Sequence, residues 1–126
     1  MPSTDRPLAG RLVLVVEDEP LVALDIANGL EAAGAKVITA RLFADALLKS
    51  EDPALSAAVL DHGLSDGDTS QVCARLKQRD VPFVIYSGYG NLDGACTGGA
   101  QVEKPAPPAM LVATLIGLLT GRPISN

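Results

Sequence analysis

Residues 12–20 are LVLVVEDEP, an unbroken aliphatic run followed by three acidic residues and a proline. A short continuous apolar run bounded by turn residues is typical of a strand that is buried on both faces of a parallel sheet. Pro20 then occupies the expected first position of a helix, and Gly34 provides a stop for that helix. This stretch therefore predicts a β-strand that leads directly into an α-helix.

The same alternation continues along the chain. Further strands are predicted at Lys36–Thr39, Ala57–Leu60, Pro82–Tyr86 and Gln101–Glu103. Further helices are predicted at Phe43–Lys49, after a cap at Thr69 or Ser70, and from Pro107-Pro108 to Gly121 with Met110, Leu111, Leu115 and Leu118 facing inward. Five repeats of strand and helix favour an α/β fold, with a parallel sheet, right-handed crossovers and helices on both faces.

The segment Gly88–Ala100 is the least regular part, because it has five glycines in 13 residues. Each glycine inside a helix costs about 0.8–1 kcal/mol relative to alanine. We therefore expect a shortened or irregular fourth helix there, of one turn at most. The length of 126 residues predicts one domain, with a flexible leader at 1–10, the folded domain at 11–121 and a tail at 122–126.

Composition excludes several classes of function. The net charge is −5 and aromatic residues make up only 3%, so we expect no binding to nucleic acid. No apolar run approaches the roughly 20 residues of a membrane span, and the polar N-terminus is not a signal peptide. Cys73 and Cys96 form no CxxC pattern and are predicted to be buried free thiols. Together these features favour a reducing compartment, most simply the cytoplasm.

Polar residues follow the predicted strands at their carboxyl ends. They are Glu17 and Asp18 after the first strand, Asp61 after the third, Ser87 after the fourth and Lys104 after the fifth. In an open parallel sheet, ligands bind beyond the carboxyl ends of the strands, so these side chains are expected to converge on one pocket. Crowding of the three carboxylates should raise the pKa of at least one of them, and their combined charge should repel a phosphate.

A divalent cation removes that repulsion, and Mg²⁺ prefers such oxygen ligands, with Mn²⁺ as an alternative. Asp61 is the candidate nucleophile, because a carboxylate can form an acyl phosphate with a phosphoryl group. The Lys104 ammonium can pair with Asp61 and then with a phosphoryl oxygen. The Ser87 hydroxyl and the Gly88 backbone N–H can donate hydrogen bonds to the other phosphoryl oxygens.

The segments VVEDEP, VLDHGL, VIYSGY and VEKP together resemble those of the response-regulator receiver domains of two-component signalling, over residues 11–120. This resemblance implies a flavodoxin-like (βα)₅ fold with strand order 2-1-3-4-5. It also implies Mg²⁺ bound by Asp18, Asp61 and the Gly63 backbone carbonyl, with Glu17 acting largely through water. Phosphoryl groups would come from a sensor histidine kinase or a phosphotransfer protein.

A narrower similarity links VPFVIYSGYG to single-domain receivers with a PFxFATGY-like signature. This chain departs from that signature at Ile85-Tyr86-Ser87, although serine keeps the hydroxyl. It also has Gln101 where many receivers have a switching aromatic, three positions before the lysine. We hypothesise that Tyr89 takes over this role, with phosphorylation ordering the glycine-rich loop.

The resemblance implies a stand-alone, phosphorylation-dependent interaction module, monomeric or weakly dimeric, that acts on a downstream protein. A phosphate sink or shuttle in a phosphorelay and a fragment of a longer regulator stay open as alternatives. The domain is expected to assist its own phosphorylation and dephosphorylation without being an enzyme for other substrates.

Two other classes compete with this interpretation. A flavodoxin-like electron carrier needs a hydroxyl-rich phosphate loop and aromatic residues around the flavin, and a hydrolase of the haloacid-dehalogenase type needs a second acid two residues after Asp61. His62 is interpreted as a rim residue, and Asp66–Thr69 as a solvated loop and helix cap, because the terminal glutamate of a calcium loop is missing.

Overall fold

The computed structural model describes residues 6–62, 69–87, 96 and 99–120. Five parallel strands form one sheet in the order β2-β1-β3-β4-β5. The strands are β1 (Leu12–Val16), β2 (Lys36–Ala40), β3 (Leu55–Asp61), β4 (Phe83–Ser87) and β5 (Ala100–Glu103). The helices are α1 (Pro20–Ala32), α2 (Phe43–Lys49), α3 (Ser70–Gln78) and α4 (Pro108–Thr120). The predicted flavodoxin-like fold with strand order 2-1-3-4-5 is confirmed.

Helices cover both faces of the sheet, which explains why the central strand β1 is aliphatic without alternation. Val13 and Val15 on β1 belong to the core cluster that includes residues of α1 and α4. Leu14 and Val16, which alternate with them, belong to the cluster that includes residues of α2 and α3. Successive side chains of a strand point to opposite faces, so every position of β1 faces a packed layer of helices.

The inward face of α4 differs in part from the prediction. Leu111 and Leu115 are buried as expected, but Met110 is 50% exposed and Leu118 is 39% exposed, and Val112 is buried instead. The sequence PAMLVATLIGLLT is apolar on nearly all sides, so its periodicity does not specify which residues face the sheet. No helix within the described residues is long and apolar enough to cross a membrane.

Residues 6–10, which the sequence predicts as part of a leader, pack onto the domain. Leu8 is completely buried in the cluster shared with α1 and α4. Its backbone N–H donates to the Ala33 carbonyl at 2.8 Å, which ties this stretch to the end of α1. The first five residues and the tail from 121 onward lie outside the described residues. So does most of Gly88–Ala100, the segment between β4 and β5 where a shortened helix is predicted.

Cys73 and Cys96 are joined in a disulfide, so the prediction of two free thiols is wrong. Their Cα atoms lie 5.1 Å apart and both residues are buried. The bond connects α3 to the segment between β4 and β5. The residues are 23 positions apart in sequence, and only the folding of α3 beside that segment brings them together. The disulfide removes the free thiols as an argument for a cytoplasmic location, and that location stays a prediction.

Candidate functional site

The carboxyl ends of the strands form a pocket of about 480 Å³, as the sequence predicts. Its lining includes four of the predicted site residues, Glu17, Asp18, Asp61 and Lys104. Glu17 and Asp18 directly follow β1, Asp61 ends β3 and Lys104 directly follows β5. Because parallel strands end at the same edge, residues up to 87 positions apart in sequence meet here (17 to 104).

The three carboxylates are close enough to share one cation. One oxygen from each of Glu17, Asp18 and Asp61 lies within 4.8 Å of the others. Glu17 and Asp61 are buried, whereas Asp18 is partly exposed. One Glu17 oxygen accepts a hydrogen bond from the Glu19 backbone N–H at 3.0 Å, which fixes the carboxylate at the start of α1.

Burial raises the pKa of Glu17 from 4.5 to about 7. The hydrogen bond from the Glu19 N–H lowers this pKa, and the neighbouring Asp61 carboxylate raises it further. Lys104 also lowers it, but more weakly. The predicted effect of crowding is thus found at Glu17, where desolvation makes the larger contribution.

Lys104 is the cation of the pocket. Its Nζ donates to Asp61 Oδ1 at 2.7 Å and lies 4.9 Å from the centre of the Tyr86 ring. Its backbone N–H donates to the Ser87 carbonyl at 2.7 Å, which links the end of β5 to the end of β4. The following peptide bond to Pro105 is cis. The ion pair and the ring contact hold the ammonium beside the carboxylate of the candidate phosphoacceptor.

Ser87, the last residue of β4, is buried and in register with Glu103, but it is not among the described residues that line the pocket. Gln101 on β5 is exposed, so the position that holds a switching aromatic residue in many receivers carries a polar side chain at the surface here. His62 directly follows Asp61 and is partly exposed, and its backbone N–H donates to the Tyr86 carbonyl at 3.0 Å. Gly63, Gly88 and Tyr89, to which the sequence assigns a metal contact, a phosphoryl contact and a switch, lie outside the described residues.

The donor set fits a hard divalent cation. All three grouped side chains offer carboxylate oxygens, with no sulfur or imidazole ligand in the group. Mg²⁺ is bound in proteins by few carboxylates together with water and phosphate oxygens, so a partly exposed pocket with three carboxylates meets its needs. The predicted magnesium site is therefore chemically consistent with these residues.

Tyr86 is the pocket residue that the sequence did not single out. The sequence places it in a buried strand and at a departure from the PFxFATGY-like signature, without a role in the pocket, yet its hydroxyl donates to Glu17 Oε1 and its ring contacts Lys104. A tyrosine within an apolar strand, directly before the predicted hydroxyl residue Ser87, is the signal in the sequence, because a buried tyrosine hydroxyl requires a hydrogen-bond partner.

Comparison with known proteins identifies relatives of this chain. No protein-family model matches it. The acid tolerance regulatory protein ActR of Rhizobium meliloti is 30% identical over 123 residues, in a match that covers 90% of this chain and 63% of that protein. The chain therefore spans less than two thirds of the length of this relative.

Two solved structures match nearly the whole domain. A response regulator receiver protein from Sinorhizobium medicae is 26% identical with a TM-score of 0.79, over 90% of this chain and 98% of that one. SdrG from Sphingomonas melonis is 32% identical with a TM-score of 0.71, over 86% of this chain and 96% of that one. Together with the fold and the acidic pocket, these matches identify the chain as a member of the response-regulator receiver family, the CheY-like domains of two-component signalling.

Proposed function

We propose that this chain accepts a phosphoryl group on Asp61 and transmits that signal through phosphorylation-dependent binding of another protein. The observation that carries the proposal is the ion pair between Lys104 and Asp61, at 2.7 Å, inside a cluster of three carboxylates. An ammonium held against one buried carboxylate is already placed to meet the oxygens of a group that arrives at that carboxylate.

The reaction would be a direct transfer to the carboxylate. An Asp61 oxygen attacks phosphorus and forms a P–O bond as the P–N bond of a donor phosphohistidine breaks, and the imidazole nitrogen keeps the bonding electron pair. The protein contributes mainly position and charge, because the transferring group spreads negative charge over its oxygens. The Lys104 ammonium, which donates to Asp61 before the transfer, can then donate to an oxygen of the phosphoryl group.

The other residues of the pocket would support the same step. Glu17, Asp18 and Asp61 would hold Mg²⁺, or Mn²⁺ in its place, and the bound cation supplies positive charge against the crowded carboxylates and the phosphoryl oxygens. Ser87 would donate its hydroxyl to a phosphoryl oxygen, together with the Gly88 N–H. Gly63 would contribute its backbone carbonyl to the metal site.

The donor class follows from the family. Receivers take phosphoryl groups from histidine kinases or phosphotransfer proteins, and we propose such a donor and a downstream protein target for this chain, which we expect to act as a cytoplasmic monomer or weak dimer. A phosphate sink or shuttle and a receiver within a longer regulator stay as alternatives.

The chain would assist its own phosphorylation and dephosphorylation without acting on other substrates. Family membership favours this interpretation over a flavin carrier or a phosphoester hydrolase. The net charge of −5 argues against nucleic acid as a partner. Tight, salt-sensitive binding of the chain to duplex DNA would contradict that part of the proposal.

Phosphorylation with acetyl phosphate tests the assignment directly. The chain should gain the mass of one phosphoryl group when Mg²⁺ is present, and should not when the metal is chelated. Asp61→Asn should abolish the gain, because the nucleophilic oxygen is lost. Asp25→Asn is a matched control, since Asp25 is an exposed carboxylate on α1, outside the residues that line the pocket. Normal phosphorylation of the Asp61 variant would overturn the proposal.

Signal output is tested with Lys104→Ala. This variant should still bind Mg²⁺, because the three carboxylates are intact, but beryllofluoride should not produce the change of conformation that we expect in the unmodified chain. Amide exchange over residues 88–100, with and without beryllofluoride, also tests the Tyr89 hypothesis. Equal protection in both states would contradict an ordering of that loop.

A further inference from the structure

Tyr86 contacts both the acidic and the basic side of the pocket, through Glu17 and Lys104. It lies on β4 directly opposite Asp61 in the register of β3 and β4, and one residue before Ser87. The side chain is 5% exposed and packs in the core cluster that includes residues of α1 and α4. Its backbone carbonyl accepts the His62 N–H, so the main chain of Tyr86 is also bound to the strand that carries the phosphoacceptor.

The hydroxyl of Tyr86 determines how Glu17 is held. It donates to Glu17 Oε1, while Glu17 Oε2 accepts the Glu19 backbone N–H. Both carboxylate oxygens are therefore fixed by donors on different elements, one on β4 and one at the start of α1. A buried carboxylate with a donor on each oxygen has little freedom to rotate, which is what a metal ligand or an outer-sphere partner of a metal requires.

The ring of Tyr86 faces Lys104. Nζ lies 4.9 Å from the ring centre, a distance at which an ammonium is attracted to the aromatic face. The same ammonium donates to Asp61, so Lys104 contacts both the ring and the carboxylate. Tyr86 thus contacts Glu17 through its hydroxyl and Lys104 through its ring.

We propose that Tyr86 is a positioning residue for the divalent cation: its hydroxyl orients the Glu17 carboxylate for the metal. This inference rests on the proposed receiver function and deepens it, because it assigns metal affinity to a residue that is not itself a ligand. Removal of such an outer partner typically lowers metal affinity by about 10–100-fold.

The test is calorimetric titration of Mg²⁺ into the unphosphorylated chain, at about pH 8 where an ordinary carboxyl is ionised. Tyr86→Phe removes the hydroxyl and keeps the ring under Lys104. We expect its dissociation constant for Mg²⁺ to rise by roughly tenfold. Ser50→Ala is the matched control, because Ser50 is also buried and its hydroxyl donates to the Leu47 carbonyl at 2.6 Å, at the end of α2.

The control separates positioning from loss of stability. Both variants lose one buried hydroxyl, so both should lower the free energy of unfolding, but only Tyr86→Phe should weaken Mg²⁺ binding. A Tyr86→Phe variant that binds Mg²⁺ as the unmodified chain does, or equal weakening in the Ser50→Ala variant, would overturn the inference and leave Asp61 phosphorylation standing. Failure of the unmodified chain to bind Mg²⁺ at millimolar concentration would instead contradict the proposed function itself, and the inference with it.

Discussion

Asp61 and Lys104 form an ion pair whose members differ in their exposure, since the Asp61 side chain is 3% exposed and the Lys104 side chain is 36% exposed. The lysine extends from the surface to a carboxylate that is buried beside Glu17 and near Asp18. Desolvation and repulsion between like charges both oppose folding, and Lys104 offsets part of that cost. The buried carboxylates that the pocket needs for its function therefore lower the free energy of unfolding of the metal-free chain.

Stability in the absence of metal should change in opposite directions at these two positions. Asp61→Asn removes one of the repelling charges and should raise the free energy of unfolding, whereas Lys104→Ala leaves the carboxylates uncompensated and should lower it, each by roughly 1–2 kcal/mol. Urea unfolding in a chelator measures both. Lys49→Ala is the control, because its ion pair with Asp45 is exposed and should contribute well under about 1 kcal/mol. A destabilised Asp61→Asn variant would contradict the prediction.

The raised pKa of Glu17 predicts a pH dependence with a definite sign. Because the folded chain binds this proton with a pKa of about 7 instead of 4.5, it holds the proton more tightly than the unfolded chain does. The resulting stabilisation is complete below about pH 4.5 and is lost as the pH rises through about 7. Metal competes with the same proton, so Mg²⁺ affinity should increase over this range.

Thermal unfolding of the chain and of Glu17→Gln in parallel, from acid to alkaline pH, isolates this one group. The variant carries a neutral side chain at every pH, so the stability of the unmodified chain relative to it should fall as the pH rises. Saturating Mg²⁺ should reduce the fall. A difference between the two proteins that stays constant with pH would contradict the assignment of the shift to Glu17.

The disulfide between Cys73 and Cys96 should be a major contributor to stability. A bridge across 23 positions restricts the unfolded chain, and such a loop corresponds to about 3 kcal/mol in the chain-entropy description. Reduction should lower the midpoint of urea unfolding, and a double variant with both cysteines replaced by alanine should not respond to reductant. Detection of two reactive thiols per chain after denaturation without reductant would show that the bond is not formed.

Gly99 packs against the ring of Phe83, and a Cβ atom at this position would overlap the ring carbons. Gly99→Ala should therefore lower the free energy of unfolding by roughly 1–3 kcal/mol, because the buried Phe83 ring or the backbone at Gly99 would have to shift. Adding Phe83→Leu should recover part of that loss, so the two changes should be less than additive in a double-mutant cycle. Full additivity would exclude the contact as the cause.

Much of the fold is predictable because its signals are local. The run Leu12–Val16 and the helix Phe43–Lys49 have the predicted bounds, since a continuous aliphatic run and a short helix between turn residues depend on neighbouring residues alone. The convergence of Asp61 and Lys104 also follows from topology, because parallel strands end at one edge. The exposed Met110 could not be predicted, since the helix that carries it is apolar on nearly every side.

What the sequence does not predict depends on contacts between distant residues. The hydroxyl of Tyr86 meets Glu17 across 69 positions, and a tyrosine within a strand motif gives no indication of its partner. Cys73 and Cys96 likewise need the packing of α3 to determine whether they are thiols or a disulfide. In both cases the chemistry of the residue is set by a distant neighbour that the sequence does not identify.

The disulfide also determines how this domain would respond to mechanical tension. The closed ring from Cys73 to Cys96 contains the whole of β4, whereas β3 and β5 lie outside it. A force applied at the two ends of the chain would pass through the sulfur atoms and bypass the ring, which would hide a contour length of roughly 80 Å from extension. The strand that ends in Ser87 would then bear none of that force through its own backbone, even after the strands on either side had been pulled away.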